Sequence, residues 1–396
     1  MQNPFLKLTG LFERAVQKED SVIGIDVGSA YLKVVQLRRK SGRAVLETYG
    51  SLALGPYAGL EIGRATRLPP QKLSEALLDL MREAHVTTNR AGIAIPFESS
   101  LVTAIEMFVT SEKELETAVP IEARKYVPVP ISEVNLDWWV IPDEPEKFSP
   151  PAGSSTEGEP ESDALTVSDA DGGKPLTQQG APVGQPRKFQ ILIAAIHNEA
   201  MTRFTDIAKG AGLDVEFFEI EIFSTIRALL PGDNEPHAVV DLGAGETKLY
   251  VIDRSLLRLS HIVGNGSQDL TLALSKAMSL TMEDAEKEKR ALGISGPADL
   301  SLRGLLNILF AEANRAIRSY ESRSGRHVKD MILTGGGANL KGIEHEAAKA
   351  SSVPVVRANP FRQIEAPAFL DDVLSAVGPE FSVAIGAAFR KLQETS

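Results

Sequence analysis

The stretch VIGIDVGSAYLKVVQL, Val22 to Leu37, is echoed far down the chain by AVVDLGAGETKLYVID, Ala238 to Asp253. In each, an apolar run ends in Asp, followed by an aliphatic residue, Gly and a small residue. A Lys stands seven positions after the Asp, pairing Asp26 with Lys33 and Asp241 with Lys248. A carboxylate at the end of a buried strand is costly unless a cation or a donor meets it there. Glycine in the following bend lets backbone N–H groups approach an anion, because no Cβ intervenes. The Asp is well placed to hold Mg²⁺ through water, since that ion keeps much of its hydration shell. Two such hairpins facing each other predict a clamp on a polyphosphate, to which Lys33 adds a point charge. One copy alone would read as an ordinary glycine hairpin; the matched pair constrains the chain to two related halves.

A third motif, LTGGGANLKG from Leu333 to Gly342, follows another apolar strand. Three successive glycines, Gly335, Gly336 and Gly337, predict backbone packed against something flat or bulky. The helix N-terminus expected beyond them also favours an anion.

Bulk composition narrows the function classes. The 396 residues suffice for two domains or more. The net charge of −11 argues against a duplex nucleic-acid binder, which needs clustered Lys and Arg. With no cysteine, disulfides and thiolate zinc sites are excluded, and six scattered histidines show no paired metal spacing. The N-terminus reads NPFLKLTGLFERAV, too charged for a secretion signal, and no apolar run is expected to span a membrane.

Along the chain, residues 1–21 are expected to form a tail or amphipathic helix. Strands are expected from Val22 to Asp26, Leu32 to Leu37 and Ala44 to Leu54, then a helix over 71–84. Ser111 and Glu114 predict a capping box, and Pro120 a kink or break in the helix that follows. Residues 143–188 are rich in Pro, Gly, Ser and acids and poor in large apolar residues. Such a segment is expected to be disordered. Placed between the strands LDWWVI and FQILIAAI, it costs only about 2 kcal/mol more to close than a short hairpin. The second half repeats the β-rich pattern from Ala238, with helices near 269–278, 282–292 and 302–323.

The order Asp-x-Gly-Ser-x-x-x-Lys, a distant Asp-x-Gly, then Gly-Gly-Gly before a helix resembles the actin, hexokinase and Hsp70 ATPase superfamily. On that resemblance Asp26, Gly28, Ser29 and Lys33 form a first phosphate loop and Asp241, Gly243 and Gly245 a second. Gly335, Gly336 and Gly337 form the adenosine motif. IEIFSTIRAL resembles the first connecting helix and places its acid at Glu221, a candidate for orienting water or Mg²⁺. EFSVAIGAAFR resembles the second, with Gly386 at the helix crossing. The stretch IEARKYVPVPISEVNLDWWVI is similar to the PilM family of type IV pilus assembly proteins, relatives of the division protein FtsA, and the opening hairpin matches that family too.

The resemblance implies an α/β, actin-like (ribonuclease H-like) two-lobed ATPase fold with an extra FtsA/PilM-type α+β subdomain in the first lobe. The first lobe would comprise 22–99 and 214–236, and the inserted subdomain 100–213. The second lobe would comprise 237–265 and 329–392, with a helical subdomain at 266–328. It implies ATP and Mg²⁺ as cofactors, with Asp26 and Asp241 toward the metal. It also implies weak ATPase activity at most, and a cytoplasmic place at the inner-membrane face. The implied partner is the N-terminal cytoplasmic peptide of a PilN-like bitopic membrane protein, with Phe97, Tyr126 and Val127 chosen to line or support its groove; ordinary core roles explain those three equally well. Pilus motor ATPases and self-association are further partners that the resemblance allows. Two other readings stand beside this one: a small-molecule kinase of the same superfamily, for which no acceptor base can be named, and an FtsA-like filament protein, disfavoured because the chain stops at FRKLQETS.

Overall fold

The computed structural model describes residues 21–141, 186–295 and 299–394. The expected N-terminal helix lies outside them, as does nearly all of the acidic stretch.

The opening phrase folds as expected into a hairpin. Strands β1 (Ser21–Val27) and β2 (Tyr31–Lys40) pair antiparallel, with Asp26 opposite Lys33. β3 (Arg43–Ala53) extends the meander, and α1 (Pro70–Glu83) crosses to β4 (Arg90–Ile95), which lies parallel to β1. The chain then runs through β5 (Ser100–Val109), α2 (Glu112–Ala123), β6 (Val134–Ile141), β7 (Arg187–His197) and α3 (Asn198–Gly210). It returns as β8 (Asp214–Ile220), parallel to β4, and α4 (Glu221–Leu229). The first sheet is thus β3-β2-β1-β4-β8.

The second phrase repeats the plan. Strands β9 (His237–Leu242), β10 (Thr247–Asp253) and β11 (Leu256–Val263) form the meander, with Asp241 opposite Lys248. Helices α5 (Ser267–Met278), α6 (Met282–Leu292) and α7 (Asp299–Ser324) follow. Then come β12 (Asp330–Thr334), α8 (Ile343–Ala350), β13 (Val355–Arg357), α9 (Asp371–Val377) and α10 (Ser382–Glu394). The order β11-β10-β9-β12-β13, with the same parallel and antiparallel pairings, matches the first sheet strand for strand.

Each sheet has its own core. Ile23, Ile25, Val34, Leu77 and Ile93 pack with Phe204 and Ile207 of α3 on one side of the first sheet. Val240, Leu249, Phe310, Ile317 and Leu333 fill the second. On the other side of the first sheet, α10 lies directly on β1. A Cβ on Gly24 would fall 1.8 Å from the Ala384 carbonyl oxygen, and one on Gly386 would fall 1.7 Å from that of Ser224 in α4. Only glycine permits both approaches.

The run Ala368–Gln393 is long and apolar enough to cross a membrane by length and composition, contrary to expectation. Its most apolar window is 67% buried, so here it serves as a core helix.

The chain divides into two compact units: one up to Val102 with 132–135 and 195–396, the other 103–131 and 136–194. The second is narrower than the 100–213 module expected from the sequence, because α3 gives its apolar face to the first sheet. In the second unit β5, β7 and β6 form a three-stranded sheet, and β7 begins at Arg187, two residues inside the stretch expected to be disordered. Helix α2 corrects two expectations. It continues through Pro120 without the expected break, and Leu115, Val119 and Ala123 are buried along it. The Ser111 side chain makes no cap bond, and Glu114 instead accepts from the Thr110 N–H at 3.0 Å, one residue further back.

Candidate functional site

Asp26 and Asp241 occupy the same position in their strands, one residue before the end. The bends that follow are built alike. A Cβ on Gly28 would lie 2.9 Å from the Tyr31 carbonyl oxygen, and one on Gly243 would lie 2.7 Å from that of Glu246, three residues on in both cases. The bends also meet, since a Cβ on Gly245 would be 3.4 Å from Ser29 Oγ. The triple glycine closes in beneath the second hairpin. Gly335 has φ +80°, and a Cβ there would sit 2.3 Å from Asp241 Oδ1; one on Gly337 would sit 2.7 Å from Leu242 Cβ. Gly336 between them has open space on its side.

Asp26, Gly28, Ser29, Lys33, Asp241, Gly243, Gly245, Gly335, Gly336, Gly337 and Glu221 all line one cleft of about 950 Å³, toward the upper end of the roughly 300–1,000 Å³ of small-ligand sites. Phe97, Tyr126 and Val127 are not among its lining residues. Phe97 and Val127 are buried, and Tyr126 is exposed.

The charges are arranged unequally. Lys33 Nζ pairs with Asp26 within its own hairpin at 2.8 Å. Burial opposes the Lys33 ammonium, but Asp26 outweighs it and holds the pKa above the usual lysine value. Lys248 turns from its hairpin partner to Glu221 at the start of α4, 2.9 Å away. Glu221 Oε1 also accepts the Phe97 N–H at 2.6 Å. Burial pushes Glu221 up to about 7, with Lys248 pulling the other way and Asp241 and Asp26 adding to the rise. Burial likewise raises Asp241, helped by Asp26 and opposed by Lys248. Asp241 is left with no side-chain hydrogen bond or ion pair among the described residues, and it faces the cleft. Three carboxylates to two ammoniums is a site disposed toward a cation.

Sequence reasoning missed the wall formed by α6. Lys289 bonds Glu286 and the Thr271 hydroxyl, each at 2.7 Å, and Arg290 donates to Tyr31 Oη at 2.6 Å. Burial pushes Lys289 down and opposes Glu286, which its Lys289 and Arg290 partners hold below the usual glutamate value. In the sequence EDAEKEKR reads as a solvated charged helix; only tertiary packing reveals that Glu286 and Lys289 are shielded. Glu380, just before α10, was also missed. It faces the same cleft, raised by burial despite Lys33 and Arg290.

Twin β-meanders with parallel crossovers and two facing glycine bends define an actin-like, two-lobed ATPase fold. Among solved structures the chain aligns with the PilM-PilN type IV pilus biogenesis complex at a TM-score of 0.73 and 22% identity, covering 94% of this chain and 98% of that one. It aligns with the ethanolamine utilization protein EutJ from Carboxydothermus hydrogenoformans at 0.51 and 14%, covering 93% and 89%. Over 177 residues it is 27% identical to the cell division protein FtsA of Rhizobium meliloti (strain 1021); the match covers 38% of this chain and only 39% of that protein. The family model described as type IV pilus assembly protein PilM matches residues 24–150 and 178–392. The chain belongs to this PilM family.

Proposed function

We propose that the cleft binds Mg-ATP, and that the loaded protein serves type IV pilus assembly by holding the N-terminal peptide of a PilN-like bitopic membrane protein at the cytoplasmic face of the inner membrane. The observation that carries the nucleotide reading is the pairing of the two bends: matched glycine turns meet across one cleft, each backed by a buried Asp. The donor set fits. Asp241 faces the cleft unpartnered, Lys33 and Lys248 stand beside it, and Gly336 leaves a flat open wall. Among the described residues no group of three His, Cys, Asp or Glu could hold a metal directly. A Mg²⁺ here would rest on Asp26 and Asp241 through water and on phosphate oxygens, the usual manner of that ion.

The bound nucleotide would supply a charged bridge between the lobes. The chain's own residues orient it: the bends offer backbone N–H groups, Lys33 and Lys248 point charges, and the triple glycine a surface without side chains. Glu221 Oε1 accepts the Phe97 N–H, a bond to the main chain that would keep this carboxyl from activating water even when a ligand draws Lys248 away, so hydrolysis would be slow. The partner half of the proposal rests on family membership and on the complex named above. Phe97, Tyr126 and Val127 stay as candidate supports of the peptide groove.

Thermal melting with and without Mg-ATP tests the first half: at ~100 times its Kd, the ligand stabilises the fold by about 2.7 kcal/mol. Absence of any shift would sink the nucleotide reading. A pull-down with the cytoplasmic peptide of a candidate bitopic partner tests the second, and failure to retain the protein in both nucleotide states counts against it.

A further inference from the structure

The geometry points to Glu221 as a positioning residue that couples occupancy of the cleft to the strand leading into the second compact unit. A single carboxylate oxygen, Oε1, makes two bonds: one to Lys248 Nζ on β10 of the second lobe, one to the backbone N–H of Phe97 on the first. Phe97 is buried and opens the one-turn helix Phe97–Ser99, and β5 begins at Ser100. The chain passes into the second unit at Thr103. Glu221 therefore connects the lobe that would contact the ligand's far side with the root of that unit.

Resting on the nucleotide reading, the coupling works by competition. An anion between the bends draws the Lys248 ammonium away from Glu221. The other groups around Lys248 are Glu246, 3.8 Å away, and Asp241, and both are carboxylates that keep it charged. Above pH 7, where the Lys248 ammonium keeps Glu221 ionised against its burial, loss of Lys248 lets the carboxyl take up a proton, and its bond to Phe97 becomes a neutral one. Such bonds are about half as strong as charge-assisted bonds. Coupling of this kind is reciprocal, so anything that fixes Phe97 from the side of the second unit changes the affinity of the cleft by the same factor.

Hydrogen exchange at the Phe97 amide of the full chain at pH 8, where Glu221 beside Lys248 is ionised, tests this. In the ligand-free protein Lys248→Ala should speed exchange by about fivefold or more, the equivalent of about 1 kcal/mol. Lys248→Met keeps the aliphatic stem should the alanine variant fail to fold, and Lys248→Arg should restore protection. Saturating Mg-ATP should speed exchange in the wild type, add nothing in Lys248→Met, and leave Glu221→Ala fast throughout, while thermal melting reports binding separately. Unchanged Phe97 exchange in Lys248→Met overturns the coupling whether or not nucleotide binds. Unchanged exchange in wild type with bound Mg-ATP overturns it and leaves the nucleotide reading intact. If no variant's melting responds to Mg-ATP while Lys248→Met still exchanges fast, the nucleotide reading falls and the shared-oxygen link stands.

Discussion

The two hairpins are near copies in sequence and backbone but differ in where their charges go. In the first, Lys33 neutralises Asp26 at 2.8 Å and the pair is self-contained. In the second, Lys248 leaves Asp241 for Glu221 at the start of α4, at 2.9 Å. One copy is locally satisfied, and the other leaves a buried carboxylate facing the cleft and uses its lysine as a tie to α4. Duplication of a fold thus does not duplicate its energetics. The first bend meets its own charge before any ligand arrives; the second retains an unmet electrostatic demand that a cation or ligand can satisfy, as strained functional sites often do.

The largest expected effect tests the backbone difference. Counted back from the Asp, Gly24 in β1 corresponds to Val239 in β9. Gly24→Ala drives a Cβ into the Ala384 carbonyl and should cost more than about 4 kcal/mol. Val239→Ala removes only buried methyl groups and should cost about 2 kcal/mol. Chemical denaturation of the two variants separates them, and similar losses would erase the contrast.

The second test exchanges the acids. Asp26→Asn leaves Lys33 buried and unpaired, a loss of about 3 kcal/mol. Asp241→Asn removes a buried carboxylate that has no partner, so the ligand-free protein should gain about 1 kcal/mol. The same change should weaken Mg-ATP at least about tenfold, roughly 1.4 kcal/mol. Melting temperatures with opposite signs would support the division of labour; two destabilised variants would break it.

The third concerns pH. Glu221 is held protonated in the fold up to about 7, against an ordinary value of 4.5. The folded state therefore binds more protons than the unfolded chain between those values, and stability falls as pH rises through that window. In Glu221→Gln the slope from pH 5 to 7 should flatten. A slope identical to wild type would show that the carboxyl is ionised throughout.

The smallest effect contrasts the strand starts, where Val22 corresponds to His237. His237 lies 2.7 Å from Asp330 and 3.2 Å from Asp233. Burial opposes its charge, but the Asp330 hydrogen bond and charge outweigh it and raise the pKa. A raised histidine adds stability that is full below its ordinary value near 6.5 and is lost as pH rises through the folded value. His237→Val should cost about 1 kcal/mol at pH 5.5 and little at pH 9. Equal losses at both would mean packing alone is at stake.

Most of the architecture was legible because it is local. Period-two apolar runs ending in Asp, glycine bends and amphipathic helices each follow from a few neighbouring residues: α6 spans the expected 282–292, and α1 lies within a residue of 71–84. The helix continues past Pro120, where Leu115, Val119 and Ala123 are buried, and Glu114 reaches the Thr110 N–H in place of a Ser111 cap; neither is visible in the local pattern. The apolar run ending in α10 meets the length and composition of a span, and only its packing on β1 and α4 shows that it belongs to the core. The phosphate-loop residues were legible because glycine has a backbone reason to recur. Glu286, Lys289 and Glu380 were not, since a charged residue looks the same in sequence whether solvated or shielded.

Taken alone, the sequence determined the duplication, the two bends and the family. Backbone geometry at Asp-x-Gly depends on residues that are adjacent in the chain. Which lysine answers which acid was decided only by tertiary structure. That choice depends on where the fold places Glu221, at the start of α4, relative to Lys248 on β10, and on how much water remains around them. The duplicated phrase is symmetric as text, and the surroundings supplied by α4, α10 and the triple glycine make the second copy unlike the first.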